Sequence, residues 1–286
     1  MNISIFGGGW LGQPLASKLS GARGTVNRHS PNQYHVRVTA RSEQSVLMLK
    51  ELGLVAYPFT LGQSLTEHRD LTALLDNDVV IINIPPGRRN LANDPRASQI
   101  FIDNMCALIQ QTCIENSAQL IFISTSAVYG DAQGYITEHN KVAPVTESAR
   151  AHQAIESFIL QQIPHSACIL RLAGLVGPGR HPGMFLAGKH EISAGGQVVN
   201  LIHQQDVISA LEKIILSKTW GEVLHLSAQA HPSRREYYTW AAQRLGLAAP
   251  HFAYEVECLQ GKWIDASYTL QKLSLSLTYP SPYDML

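Results

Sequence analysis

Glycines at positions 7, 9 and 12 follow directly on the apolar run Ile3-Ser4-Ile5-Phe6, and Leu11, Leu15 and Leu19 then recur at helical spacing. A strand, a glycine turn and a helix in this order suit a dinucleotide. Gly7 permits the tight turn, Gly9 lets the backbone approach a pyrophosphate, and Gly12 lets the helix pack close to the strand, with the phosphates at the helix N-terminus. Trp10 and Leu11 belong to the same turn and are candidate cofactor contacts. A second stretch with chemical potential is Ser124-Thr125-Ser126-Ala127-Val128-Tyr129-Gly130. It places three hydroxyls at the end of an apolar strand, where Ser124 can face a cofactor and Thr125 and Ser126 a substrate carbonyl or hydroxyl. A third is the glycine- and proline-rich run 173–196, with a composition suited to a loop shaped around a ligand. Arg180 and His181 offer it a cation and a hydrogen-bonding ring, or are loop charge without function.

These residues need a scaffold that brings strand ends together. Residues 34–40 alternate as a second strand and run into Arg41-Ser42, where an NAD-binding unit would carry an acidic residue for the ribose hydroxyls. A cation and a hydroxyl there suit a 2′-phosphate, which favours NADP over NAD; the alternative is a solvated arginine after a strand. Helical spacing marks 44–52, 66–75 and 97–116, and strands are expected at 54–59, 79–84 and 120–124. The unbroken apolar run 79–84 implies burial on both faces of a parallel sheet. Ile84, Pro85 and Pro86 then lie at the carboxyl edge, where open α/β sheets bind ligands, and Arg88 stands beyond them, facing either a phosphate or solvent. Further strands are expected at 168–172, 198–202 and 223–226, and helices at 233–245 and 267–273, with Asp206 as N-cap of a helix reaching 216. Residues 24–33 read as a surface insertion.

The 286 residues are 45% hydrophobic and 15% charged, with 22 basic and 22 acidic side chains and a formal net charge of zero. Nothing in that balance supports nucleic acid or an anionic membrane as partner. No apolar run reaches the length of a membrane span, and a strand starting at Ile3 leaves no room for a signal peptide, so a cytoplasmic protein is expected. Cys106, Cys113, Cys168 and Cys258 lack paired spacing, which points to buried reduced thiols and no metal site.

Four motifs in order carry a resemblance: Gly7-x-Gly9-x-x-Gly12, the 124–130 stretch, Arg171-Leu172-Ala173-Gly174-Leu175-Val176-Gly177-Pro178-Gly179-Arg180, and Asn200-Leu201-Ile202-His203-x-x-Asp206-Val207. Together they resemble the NAD(P)-dependent epimerase/dehydratase family of the extended and atypical short-chain dehydrogenase/reductase superfamily. The resemblance implies a Rossmann-type doubly wound parallel sheet of about seven strands in residues 1–172. A smaller substrate lobe, 173–286, would be interleaved with it. It also implies a nucleotide-linked sugar or similar small molecule as substrate, with a homodimer left open, and it places Thr125 at the family's catalytic Ser/Thr. The family's Tyr-x-x-x-Lys pair is missing: Ser148 falls at the tyrosine position and His152 at the lysine position, one helical turn apart. A serine hydroxyl cannot replace a tunable phenol, whereas His152 titrates near neutrality or else is a plain helix histidine. Tyr129 and Tyr135 are substitute phenols. The expectation is an NADP-dependent oxidoreductase, epimerase or dehydratase with non-standard acid/base residues. The alternative is a catalytically silent NADP-binding sensor.

Overall fold

A computed structural model describes residues 1–21, 34–87, 95–254 and 258–286. The expected insertion at 24–33 lies outside the described residues. The strands are β1 (Asn2–Phe6), β2 (His35–Ala40), β3 (Val55–Pro58), β4 (Val79–Ile82), β5 (Gln119–Thr125), β6 (Gly134–Ile136), β7 (Ala167–Leu172), β8 (Gly174–Val176), β9 (Leu201–His203), β10 (Glu222–Leu226) and β11 (Lys262–Ile264). The α-helices used below are α1 (Gly12–Ser20), α2 (Glu43–Glu51), α3 (Pro95–Ile109), α4 (Glu147–Gln162), α5 (Gln204–Ser217) and α6 (Arg234–Arg244).

Seven strands form a parallel sheet flanked by helices, in the order β10-β7-β5-β4-β1-β2-β3. β1 lies inside the sheet, with Ile3 beside Val36 on one neighbour and Val79 on the other. Strands so enclosed carry apolar side chains on both faces, and all four residues of β4 are buried. The order reverses between β1 and β4, the switch point at which such sheets bind ligands beyond the carboxyl ends of their strands.

The chain divides into two units. The first comprises Met1–Ser124, Val145–Leu170 and Ile214–Val223, and its core is built from residues such as Phe6, Leu74, Ile82, Phe122, Ile155 and Ile169. The second comprises Thr125–Pro144, Arg171–Lys213 and Leu224–Leu286. It contains two parallel ribbons, β6 with β11 and β8 with β9. One of its smaller cores joins Val128, Tyr129, Ile136 and Ile264, another Val176, Tyr237 and Ala241.

Several elements differ from the spacing-based expectation: β8 is a strand within the expected loop 173–196, and β9 lies at Leu201–His203 in place of 198–202. Arg69–Leu75 is a 3-10 helix, in which Leu71 and Leu74, three apart, fall on one buried edge. α3 passes into a π-helical turn at Gln110–Ile114, where the Thr112 hydroxyl donates to the Leu108 carbonyl at 2.7 Å. Asp206 does not cap α5. It lies in the first turn, fully buried, and its carboxylate accepts the backbone N–H groups of Thr278 (2.7 Å) and Tyr279 (3.1 Å). The His203 ring lies tilted against Tyr279 with ring centroids 3.8 Å apart. Cys113 and Cys168 are buried, and burial pushes both thiols up to about 12; Cys258 is exposed, against expectation.

Candidate cofactor site and hydroxyl turn

In the first unit, β1 ends in a turn whose shape depends on absent side chains. Gly7 has φ +109°; its N–H donates to Thr39 Oγ1 at 3.2 Å, and its carbonyl accepts from Asn83 Nδ2 at 3.3 Å. A Cβ at Gly7 would strike the Asn83 carbonyl, and one at Gly12 the Gly7 carbonyl. A Cβ at Gly9 would meet nothing within 4 Å. Gly9 is thus the position where the backbone lies open, at the start of α1. That helix begins at Leu11 with no side-chain cap bond and no acidic residue in its first turn. Its N–H groups and positive dipole end suit a phosphate, so the residues present fit a dinucleotide pyrophosphate. Trp10 is half-buried and Leu11 buried.

Neighbouring strand ends complete this edge. Arg41 follows β2 and is exposed. Ser42 caps α2, accepting from the Ser45 N–H at 3.2 Å, with its hydroxyl 2.8 Å from Ser45 Oγ. Beyond β4, Ile84 is half-buried, Pro85 exposed and Pro86 buried. Arg88 lies outside the described residues. At the end of β5, Ser124 donates to Glu156 Oε1 at 2.5 Å, joining strand to α4. His152 is one turn before Glu156, only 7% exposed, with its ring tilted against Phe122 at 5.7 Å. Ser148, one turn earlier again, is half-buried.

In the second unit, Thr125 Oγ1 accepts the Ala127 N–H at 3.2 Å and caps the 3-10 turn Ser126–Tyr129, in which Ser126 is buried. Tyr129 is buried and its hydroxyl is held twice, accepting from Arg171 Nη1 at 3.1 Å and lying 3.0 Å from His225 Nδ1. His225 Nε2 lies 2.7 Å from the Asp265 carbonyl, which can only accept; Nδ1 is therefore the acceptor for the phenol proton. Burial holds His225 below the ordinary histidine range. Glu138 Oε1 accepts from the Thr269 hydroxyl at 2.6 Å and lies 3.5 Å from His225 Nε2. Tyr135 is exposed and stacks on Trp263 at 5.9 Å.

Arg180 is exposed and closes a tight turn with Gly177 through paired backbone bonds of 2.9 and 3.1 Å. His181 Nδ1 accepts the Gly183 N–H at 3.1 Å, its Nε2 lies 3.4 Å from the Tyr237 hydroxyl, and burial lowers its pKa. Arg171, His225, Glu138 and Thr269 form a network on the Tyr129 hydroxyl that spacing does not single out as a group, because their segments are far apart in sequence. Among the described residues, no helix is long and apolar enough to cross a membrane and no three His, Cys, Asp or Glu side chains are grouped to hold a metal.

The chain is 35% identical over 284 residues to Protein YeeZ of Escherichia coli strain K12, covering 99% of this chain and 98% of that protein. Its fold is similar to UDP-glucuronic acid 4-epimerase from Bacillus cereus, solved with UDP-glucuronic acid and NAD (TM-score 0.74, 20% identity, 100% of this chain and 96% of that one). It is similar also to UDP-glucose 4-epimerase from Thermotoga maritima, solved with UDP-glucose (TM-score 0.74, 16% identity, 100% and 96%). Residues 5–202, which span the glycine turn and the hydroxyl turn and reach into β9, match the model of the NAD dependent epimerase/dehydratase family, and the chain belongs to that family.

Proposed function

We propose that this protein is an NADP-dependent oxidoreductase, epimerase or dehydratase acting on a nucleotide-linked sugar or another small hydroxyl or carbonyl compound. The observation that carries the reading is the open backbone at Gly9, set before an uncapped helix N-terminus beside the strand-order switch point. A nicotinamide dinucleotide held there supplies a hydride donor or acceptor. The preference for NADP rests on Arg41, exposed after β2 where an acidic residue would favour NAD; Ser42 is a weaker partner because its oxygen already caps α2. Thr125 keeps its hydroxyl proton for a substrate oxygen while its own oxygen accepts the Ala127 N–H. His152 is the assigned acid/base, and Arg180 and His181 are the assigned substrate contacts. The nucleotide sugars bound by the two epimerases support the substrate class.

A screen of nucleotide sugars and small carbonyl compounds, followed by nicotinamide absorbance and product analysis, tests the reading. His152→Ala should lower turnover by about 10²–10⁴-fold with NADPH affinity unchanged. Undiminished turnover removes His152 from the chemistry. NADPH should bind at least about tenfold more tightly than NADH, and Arg41→Ala should abolish the difference. A second reading, a cofactor-binding sensor without turnover, is supported by Tyr129, whose phenol is committed to Arg171 and His225, and by the shielding of His152. NADPH binding with no turnover across the screen favours it.

A further inference from the structure

We propose that Lys262 is a positioning residue that fixes the hydroxyl turn by holding the carbonyl of Gly130; its catalytic consequence rests on the enzyme reading above. Lys262 Nζ donates to the Gly130 carbonyl at 2.6 Å, across 132 residues of sequence. A short bond from a charged donor is stronger than a neutral one. Gly130 ends the 3-10 turn with φ +59° and ψ −133°, backbone that only glycine enters at little cost, while its N–H still closes the turn on the Ala127 carbonyl at 3.0 Å.

The lysine is itself held in place. β11 pairs with β6 through Lys262 and Gly134, the Lys262 carbonyl accepts from Asn200 Nδ2 at 2.8 Å, and Asn200 Oδ1 accepts the Ile264 N–H at 3.0 Å. Alternation along β11 turns Ile264 into the core with Val128 and Tyr129 and sets Lys262 on that same inner side. Burial lowers the lysine pKa, and Asp131, next to Gly130, is the charged neighbour that favours the ammonium. The turn is thus tied at its start by the Thr125 cap, in its middle by the Val128 carbonyl accepting the Ala143 N–H at 2.9 Å, and at its end by Lys262. Loss of the last tie loosens the end of the segment that bears Thr125 and Ser126, and a displacement of about 1 Å at such a group can cost about 10²-fold in rate.

The test compares the full chain with Lys262→Met and Lys262→Arg. In Lys262→Met, amide hydrogen exchange over residues 126–130 should quicken by about tenfold or more, with NADPH affinity held within about twofold. Lys262→Arg, which keeps the charged donor, should restore protection to within about threefold of the parent. On any substrate the parent turns over, Lys262→Met should lower kcat by about 10–100-fold with KM changed less than about threefold. In the parent, protection of the turn should fade as alkaline pH discharges Lys262, and the arginine variant should stay protected. Unchanged exchange in Lys262→Met overturns the proposal, as does alkaline protection that is the same in parent and arginine variant. Unchanged kcat alongside faster exchange overturns the catalytic consequence. If the parent turns over no substrate, the enzyme reading fails separately, and exchange still decides whether Lys262 holds the turn. Should the methionine variant not fold, the pH series on parent and arginine variant decides alone.

Discussion

Residues 7–12 and residues 125–130 both end strands of the central sheet, yet they are held by different means. In the glycine turn the tightest restraints are backbone against backbone, beside the side-chain bonds of Thr39 and Asn83 to Gly7: the Gly7 carbonyl occupies the place of a Gly12 Cβ, and the Asn83 carbonyl that of a Gly7 Cβ. In the hydroxyl turn they are side chains sent from distant segments: Arg171 from 42 residues away, His225 from 96 and Lys262 from 132. The first turn therefore tolerates few side chains within it, while the second depends on particular side chains outside it. Substitutions should separate the two by kind as well as by size.

The largest effect is expected in the first turn. Gly12→Ala should destabilise the fold by about 3 kcal/mol, since its methyl meets backbone that cannot turn aside. Gly9→Ala should change stability by less than about 0.5 kcal/mol and weaken NADPH binding about tenfold, because its methyl stands in open space. Urea unfolding with calorimetric titration separates the two; equal stabilities for both variants would refute the contrast. In the second turn, Tyr129→Phe should cost about 1–3 kcal/mol by stranding buried donors and acceptors on Arg171 and His225. NADPH affinity should not change. A neutral urea midpoint would mean that the network carries no stability.

Acid should sharpen the difference further. His181, His203, His225 and His231 all have lowered pKa values, with burial the largest cause in each, and all four belong to the second unit. A histidine whose folded pKa lies below its unfolded value stabilises the fold above about pH 6.5, and that stability is lost as the pH falls through and below this value. Stability should fall by up to about 1.4 kcal/mol per pH unit for each proton taken up, His225 being the most buried. Hydrogen exchange at pH 7 and pH 5.5 should show the second unit losing protection before the first; equal loss in both, or none, would count against this. Among substitutions that remove a hydrogen bond, the smallest effect is expected at Ser42→Ala, about 1 kcal/mol for a lost helix cap. A thermal melt reads it, and the NADPH-to-NADH preference should remain with Arg41.

Much of the sheet is legible because enclosed parallel strands are written as apolar runs, as at 79–82 and 120–122, and because the glycines at 7, 9 and 12 come directly after a first apolar strand and before a helical run. Arg69–Leu75 is less legible: leucines three apart suit an α-helix and a 3-10 helix alike. Asp206 reads as a cap because an acidic residue opens an apolar helical run; its actual donors are main-chain N–H groups at 278 and 279, which have no residue signature. The same reason conceals Lys262, whose partner is a carbonyl of glycine. Ser148 and His152 can be assigned to positions in a motif, but burial decides what a histidine can reach, and His152 lies against Phe122.

The bonds from Thr278 and Tyr279 to Asp206 also bear on the order in which the protein can be completed during synthesis. A nascent chain that has emerged only to residue 277 must bury the Asp206 carboxylate without its two donors, which is costly for a charged group. The Pro280 carbonyl, which accepts the N–H groups of Gln229 and Ala230, arrives just as late. The second unit therefore cannot settle before residues 278–280 have emerged, and until then α5 lacks the partners of its buried carboxylate.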